Sequence, residues 1–236
     1  MDLLTNNILF GLIISLAAFE AGLFICRRTG MAIFNPLLIA VLLIIIFLTV
    51  FHIDVDTYNK SGEFINMFLG PSTVVLAVPL YKQLDLLKKN AAAILTGISV
   101  GSIMGICMII GISYYLRLDS DIIKSLIPKS VTTPIGIAIS SQLGGIVPIT
   151  VLAVIVTGIM GSIIGPAVCR IFRINNKVAI GVAIGTASHA IGTSKALELG
   201  EVEGAMSSLS IGIAGIVTVI LAPIIYNILG SILNIV

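Results

Sequence analysis

The stretch "GTASHAIGTSKALELGE", residues 185–201, decides how this chain is to be folded. It follows a hydrophobic run, yet it gathers Thr186, Ser188, His189, Thr193 and Lys195 into a few positions. A surface loop between two helices would explain such a cluster, and so would a polar break inside a membrane. The tail suits the first explanation: Glu198, Glu201 and Glu203 read as an interfacial helix start that meets water. Residues Thr186 to Thr193 suit the second, because a half-length apolar segment runs directly into them.

The surrounding chain supports a membrane setting. Its 236 residues are 58% hydrophobic and 10% charged, with a mean hydropathy of +1.18. That leaves too few charges to cover a soluble globule, and the apolar runs are long enough to cross a bilayer. The expected fold is all-α and integral to the membrane, a single domain over residues 1–236 built as a polytopic helical bundle. The thirteen Lys and Arg are scattered through short loops and form no basic platform, so no nucleic-acid partner is expected. Cys26, Cys107 and Cys169 lack CxxC spacing and offer neither a disulfide framework nor a zinc site. The amino-terminal segment reads as a retained first helix.

Six spans are expected, near residues 6–25, 36–52, 63–80, 91–115, 147–169 and 205–229, each approaching the roughly 20 residues that a 30 Å hydrocarbon layer requires. Residues 63–80 are interrupted at Gly70-Pro71. Two further segments, 131–145 and 178–191, are too short and read as re-entrant half-helices. Irregular backbone at membrane depth is tolerated only inside protein or beside a watery cavity, and short broken segments point to a transport site.

An internal echo strengthens this. "TGISVGSIMG" (96–105) resembles "TGIMGSIIG" (157–165), and a Ser/Thr/Pro cluster precedes each, at 70–75 and 130–135. Counting Lys and Arg beside the spans puts Arg27-Arg28, Lys82/Lys88/Lys89 and Arg170/Arg173/Lys177 in the cytoplasm. Arg117, Lys124 and Lys129 are left on the wrong side. In this arrangement the helices at 91–115 and 147–169 run in opposite directions, which would make the echo an inverted repeat.

The candidate site residues come from the breaks. Thr133-Pro134 has the form of an N-cap hydroxyl followed by a proline at the first helical position, with Thr132 beside it. Gly70-Pro71 would open a second half-helix, with Ser72 and Thr73 in its first turn. Helix N-termini carry unpaired N–H groups and partial positive charge, which suit a carboxylate. His189 is ionisable within a hydrophobic segment, a functional candidate by default, and its ordinary pKa near 6.5 would suit proton coupling. The competing reading is a packing histidine bonded to a neighbour. Lys195 is either a charge partner of the substrate or a loop charge facing water. Glu20 reads as snorkelling or paired with Arg27, and "HIDVD" (52–56) as a solvated loop. The GxSxG match at 97–101 lies in an apolar helix without a hydrolase's strand-turn-helix context. Gly97, Gly101 and Gly105 read instead as a small-residue stripe for helix packing, and Gly181 and Gly185 likewise. No enzyme, metal site or cofactor is expected.

The blocks "LGPSTVVLAVPLYKQ", "IPKSVTTPIGIAIS", "GGIVPITVLAVIVTGIMGSIIGP" and "AIGTASHAIGTSKALELGEVEGAMSSL" resemble those of the LrgB/CidB family of antiholin-like membrane proteins. The family is also similar to the carboxy-terminal half of the plastid glycolate/glycerate transporter. The resemblance covers almost the whole chain. It implies substrate positions at Pro71, Ser72, Thr73, Thr132, Thr133, Pro134, Thr186, Ser188, His189, Gly192 and Thr193, and it also carries over Lys129 and Ser130. The implied function is transport of small monocarboxylates or hydroxy acids of the pyruvate, glycolate or glycerate type, to which the residue reading of His189 would add proton coupling. The alternative is antiholin-like control of murein hydrolase activity, autolysis and programmed cell death. That role implies a small LrgA/CidA-type membrane partner. A multi-pass protein of the bacterial cytoplasmic membrane is expected, with a homodimer as the assumed assembly.

Overall fold

The structure is a computed structural model that describes residues 9–30, 34–75 and 77–233; the side chains at 61, 66, 69, 72, 73 and 80 lie outside that description. Every regular element among the described residues is helical. The chain divides into two compact units, residues 1–75 and 76–236.

The first unit holds α1 (Leu9–Thr29), α2 (Pro36–Val50), α3 (Val55–Asn66) and α4 (Leu69–Val75). Asn35 starts α2 by accepting from the Leu37 and Leu38 amides at 2.9 and 3.3 Å, with Pro36 in the position that needs no donor. Gly22 lets α1 lie against the backbone of Pro36, where any side chain would collide. Ser15 donates to the Gly11 carbonyl at 2.6 Å, so the Tyr58 hydroxyl, 2.7 Å away, donates to Ser15 and ties α3 to α1.

The second unit holds α5 (Ala77–Lys82), α6 (Leu84–Tyr115), α7 (Ser120–Leu126), α8 (Thr133–Leu143), α9 (Val147–Ile171), α10 (Lys177–Leu199) and α11 (Glu201–Leu233). Helices α1, α6, α9 and α11 are long and apolar enough to cross a membrane, and α2 is apolar but shorter. Large apolar side chains such as Val100, Met104, Met108, Ile216, Ile220 and Ile224 face outwards, while Ser113, Thr150, Thr193, Ser207 and Ser210 are buried. That inversion of the soluble pattern suits lipid around the molecule and hydroxyl-mediated packing within it.

Residues 63–80, expected as one span, are distributed over α3, α4 and α5. Gly70-Pro71 does not open the half-helix: α4 begins at Leu69 and is only seven residues long. The half-helix expected at 131–145 is α8, eleven residues long and closed by Gly144 in the left-handed region at φ 78°. Its cap position is Thr132 and not Thr133, and the Thr132 side chain makes no capping bond. Gly136 lies against Val154, and the Thr150 hydroxyl donates to Ser140 at 2.7 Å, so α8 runs antiparallel to α9 as a helical hairpin.

The segment expected at 178–191 extends further, through Leu199, and it is broken. Ser188 (φ −133°, ψ 17°) and His189 (φ 42°, ψ −139°) leave helical geometry. Gly181 lies against Glu203, and Leu197 lies against Gly204, its neighbour on α11. An unbroken helix would hold residues 181 and 197 about 24 Å apart. The chain therefore turns back at the break, and α10 is a re-entrant pair of limbs. The first limb runs parallel to α11, with Gly181 against Glu203 and Gly185 against Ser207. The second returns antiparallel to it.

Candidate functional site

The first limb of α10 is held between two glycine-bearing helices. On one side, Gly161 of α9 meets Ser188 and Gly165 meets Ile184, an antiparallel register. On the other, Gly97 of α6 meets Val182 and Gly101 meets Thr186, a parallel register. The two echo segments thus run in opposite directions along the same limb, the orientation that an inverted repeat requires.

The two sides are not equally filled. A methyl group at Gly161 would overlap the Ser188 side chain, so α9 packs as tightly as backbone allows. On α6 the corresponding gaps are 3.6 Å at Gly97 and 3.2 Å at Gly101, and at Gly105 nothing lies within 4 Å. The parallel register that pairs 97 with 182 and 101 with 186 would pair 105 with 190, but the chain has turned back at Ser188 and His189. The space vacated there is a cleft of about 220 Å³. Gly97, Gly101, Ser102, Gly105 and Ile106 form its α6 wall, and Ala183, Thr186 and Ala187 its α10 wall. Ile127, Lys129 and Ser130 enter from the loop before α8, and Thr218 from α11.

Lys129 is the charged residue among those lining the cleft, and its Nζ donates to Ser130 Oγ at 3.1 Å. The ion pairs among the described residues are Lys82–Glu201, Lys124–Asp121 and Lys195–Glu198; none involves Lys129. Two hydroxyls beside it are also uncommitted: Ser102 Oγ and Thr186 Oγ1 are buried and have no partner among the described residues. A buried hydroxyl without a hydrogen bond costs about 1–3 kcal/mol. Lys129, Ser102 and Thr186 thus bring an ammonium and two unpartnered, buried hydroxyls to the walls of one cleft.

The expected site residues are dispersed. Thr186 lines the cleft. Ser188 donates to the Ile184 carbonyl at 2.7 Å and Gly192 packs against it, so both build the turn. His189 is buried, and its Nε2–H donates to the Val154 carbonyl at 3.0 Å. Thr193 donates to the His189 carbonyl at 2.8 Å and therefore accepts from Ser207, 2.7 Å away. These residues hold the break open and do not line the cleft. Thr132, Thr133 and Pro134 start α8, three residues beyond Lys129, and are not among the lining residues. Lys195 forms a surface pair with Glu198 at 2.7 Å, which separates it from the cleft chemistry. Pro71 is exposed in the first unit, and the side chains of Ser72 and Thr73 lie outside the described residues. Glu203, expected to meet water, is buried with Oε2 unpartnered, because it folds back over Gly200 at the α10–α11 turn.

Reasoning from residues alone missed Lys129, Ser102 and Thr218, although the resemblance carried Lys129 across. The available signal was the positive count itself: Lys129 was one of the cations that the loop assignment could not place.

The family model for the LrgB-like family matches residues 15–228. The chain belongs to the LrgB-like family. It is 38% identical over 223 residues to the antiholin-like protein LrgB of Bacillus subtilis (strain 168), covering 94% of this chain and 96% of that one. The proteins of the same name from Bacillus cereus (strain B4264) and Bacillus anthracis (strain CDC 684 / NRRL 3495) are each 38% identical over 222 residues, again covering 94% and 96%. No solved structure is significantly similar to the chain. With its four long apolar helices, this member of the LrgB-like family is a multi-pass membrane protein.

Proposed function

We propose that the chain has an antiholin-like role in a bacterial cytoplasmic membrane, and that the molecular activity beneath that role is carriage of small monocarboxylates or hydroxy acids. The cellular role is supported by the name its relatives bear, and the comparisons favour it over transport. The molecular activity rests on the cleft, and on one observation above the others: Lys129 lines it without a carboxylate partner among the described residues. An unpaired ammonium among apolar helices is costly unless a counter-ion arrives, so the cleft favours anions. Allowing about 30 Å³ per water, 220 Å³ holds about seven water-sized groups, the scale of a short hydroxy acid and too small for a drug-sized ligand. A passive lytic pore has no use for a cleft closed by a re-entrant limb.

The test is uptake of labelled glycolate, pyruvate and glycerate by proteoliposomes containing this chain, alone and with a small LrgA/CidA-type partner. Saturable uptake is expected, reduced about tenfold or more by Lys129→Gln, partly kept by Lys129→Arg and unaffected by Thr133→Val. Equal uptake by Lys129→Gln would remove the cleft from the mechanism. Release of large dyes would favour a pore. Autolysis controlled equally well by Lys129→Gln in cells would leave the antiholin-like role standing without transport.

A further inference from the structure

We infer that Gly105 sets the size of the anion the cleft accepts. This rests on the anion site proposed above and adds the residue that limits it. Along α6, the gap to the re-entrant limb is closed at Gly97 and Gly101, where a methyl group would meet Val182 and Thr186, and it is open at Gly105. The partner that the register would bring to Gly105 is residue 190, which the reversal at Ser188 and His189 has carried away. Gly105 therefore lines the cleft with open space beside it for a backbone reason, and a methyl group there would meet no neighbour within 4 Å.

An independent observation marks the same wall as one that meets a ligand. Ser102, three residues earlier on α6, lines the cleft with 9% of its surface exposed, and its Oγ has no partner among the described residues. A serine in a helix ordinarily bonds the carbonyl one turn back, as Ser188 and Ser210 do here. Ser102 leaves that bond unmade on the α6 wall of the cleft. Thr186 does the same from the opposite wall. An acid whose carboxylate is held by Lys129 would lie between the walls that carry Ser102 and Thr186, and its chain would occupy the room that Gly105 leaves. One methylene is worth about 10-fold or more in discrimination at a fitted apolar wall, so a single added methyl group can be read out.

The experiment is competition of glycolate, lactate and 2-hydroxybutyrate against labelled glycolate, in proteoliposomes carrying the wild-type chain, Gly105→Ala and Gly105→Val. Gly111→Ala is the control, since Gly111 also has open space around it but does not line the cleft. The wild type is expected to accept all three acids. Gly105→Ala is expected to lose 2-hydroxybutyrate by about tenfold or more relative to glycolate, and Gly105→Val to lose lactate as well. Gly111→Ala is expected to keep the wild-type order. A wild type that binds all three with a profile unchanged in both Gly105 variants overturns the role of Gly105 and leaves the site standing. Parallel loss of all three acids in Gly105→Ala overturns it as well. A wild type that binds none of the acids overturns the anion site and this inference together.

Discussion

At the scale of single residues, the break in α10 is a matter of backbone conformation more than of side-chain chemistry. His189 sits at φ 42°, where a β-carbon is crowded, and such a conformation costs about 1 kcal/mol or more. Three hydrogen bonds offset it: His189 to the Val154 carbonyl, Thr193 to the His189 carbonyl, and Ser207 to Thr193. Asparagine tolerates positive φ and a β-branched residue does not. His189→Asn is therefore expected to be less destabilising than His189→Val in detergent unfolding, although both lose the bond to Val154. The reverse order would mean that the imidazole bond, and not the backbone, governs the turn. Thr193→Val removes two bonds and leaves Ser207 without its acceptor. The bond to Ser207 is interhelical, a class that averages about 0.6 kcal/mol in membranes, and with the bond to the His189 carbonyl lost as well a loss of about 1 kcal/mol is expected. Thermal unfolding of the purified variant checks it.

At the scale of helices, the same small-residue pattern serves two purposes, and only its surroundings tell them apart. The glycines of α9 admit Ser188 and His189 so closely that a methyl group at Gly161 would overlap Ser188, whereas one at Gly165 would meet Ile184 at an ordinary 3.5 Å. Gly161→Ala is expected to cost about 1–3 kcal/mol through overpacking and Gly165→Ala a small fraction of that, measured by melting in detergent. Equal effects would show that the limb can shift to make room. The glycines of α6 read alike in the sequence, as a packing stripe. All three line the cleft, but Gly97 and Gly101 also pack against the limb, whereas Gly105 has open space beside it because its partner position is empty. The echo and its opposite directions were legible, since both lie in local patterns of small residues and in the charges that flank spans. The emptied position at Gly105 was not, because it depends on where a third segment turns back. The α8 half-helix was legible from Pro134 and its short apolar run. The expected span at 63–80 was not, since apolar content alone does not say whether such a run stays in one helix.

At the scale of the molecule, α6 and α9 run in opposite directions along one limb, so the start of α6 and the end of α9 lie on one side. That puts Lys88 and Lys89 with Arg170 and Arg173, as the positive-inside rule requires, and puts Arg117 at the opposite end of α6. In variants that carry one cysteine each, Lys89→Cys and Arg173→Cys are expected to react with a membrane-impermeant maleimide only after cells are opened. Arg117→Cys is expected to react in intact cells. Labelling of Lys89→Cys and Arg173→Cys from different sides would refute the antiparallel arrangement. Composition by itself determined that this chain lives in a membrane as a helical bundle, because a chain with 10% charged residues cannot cover itself in water. Local pattern determined where it breaks, because Ser, Thr, Gly and Pro compete with helical hydrogen bonding wherever they occur. Only the tertiary structure decided what the break does to the packing around it. The cluster in "GTASHAIGTSK" is spent mostly on holding a reversal. The cleft that the reversal opens is furnished by residues far away in sequence, Ser102 on α6 and Lys129 before α8. A cavity is the space between elements, and no single segment carries the information about what the others leave empty.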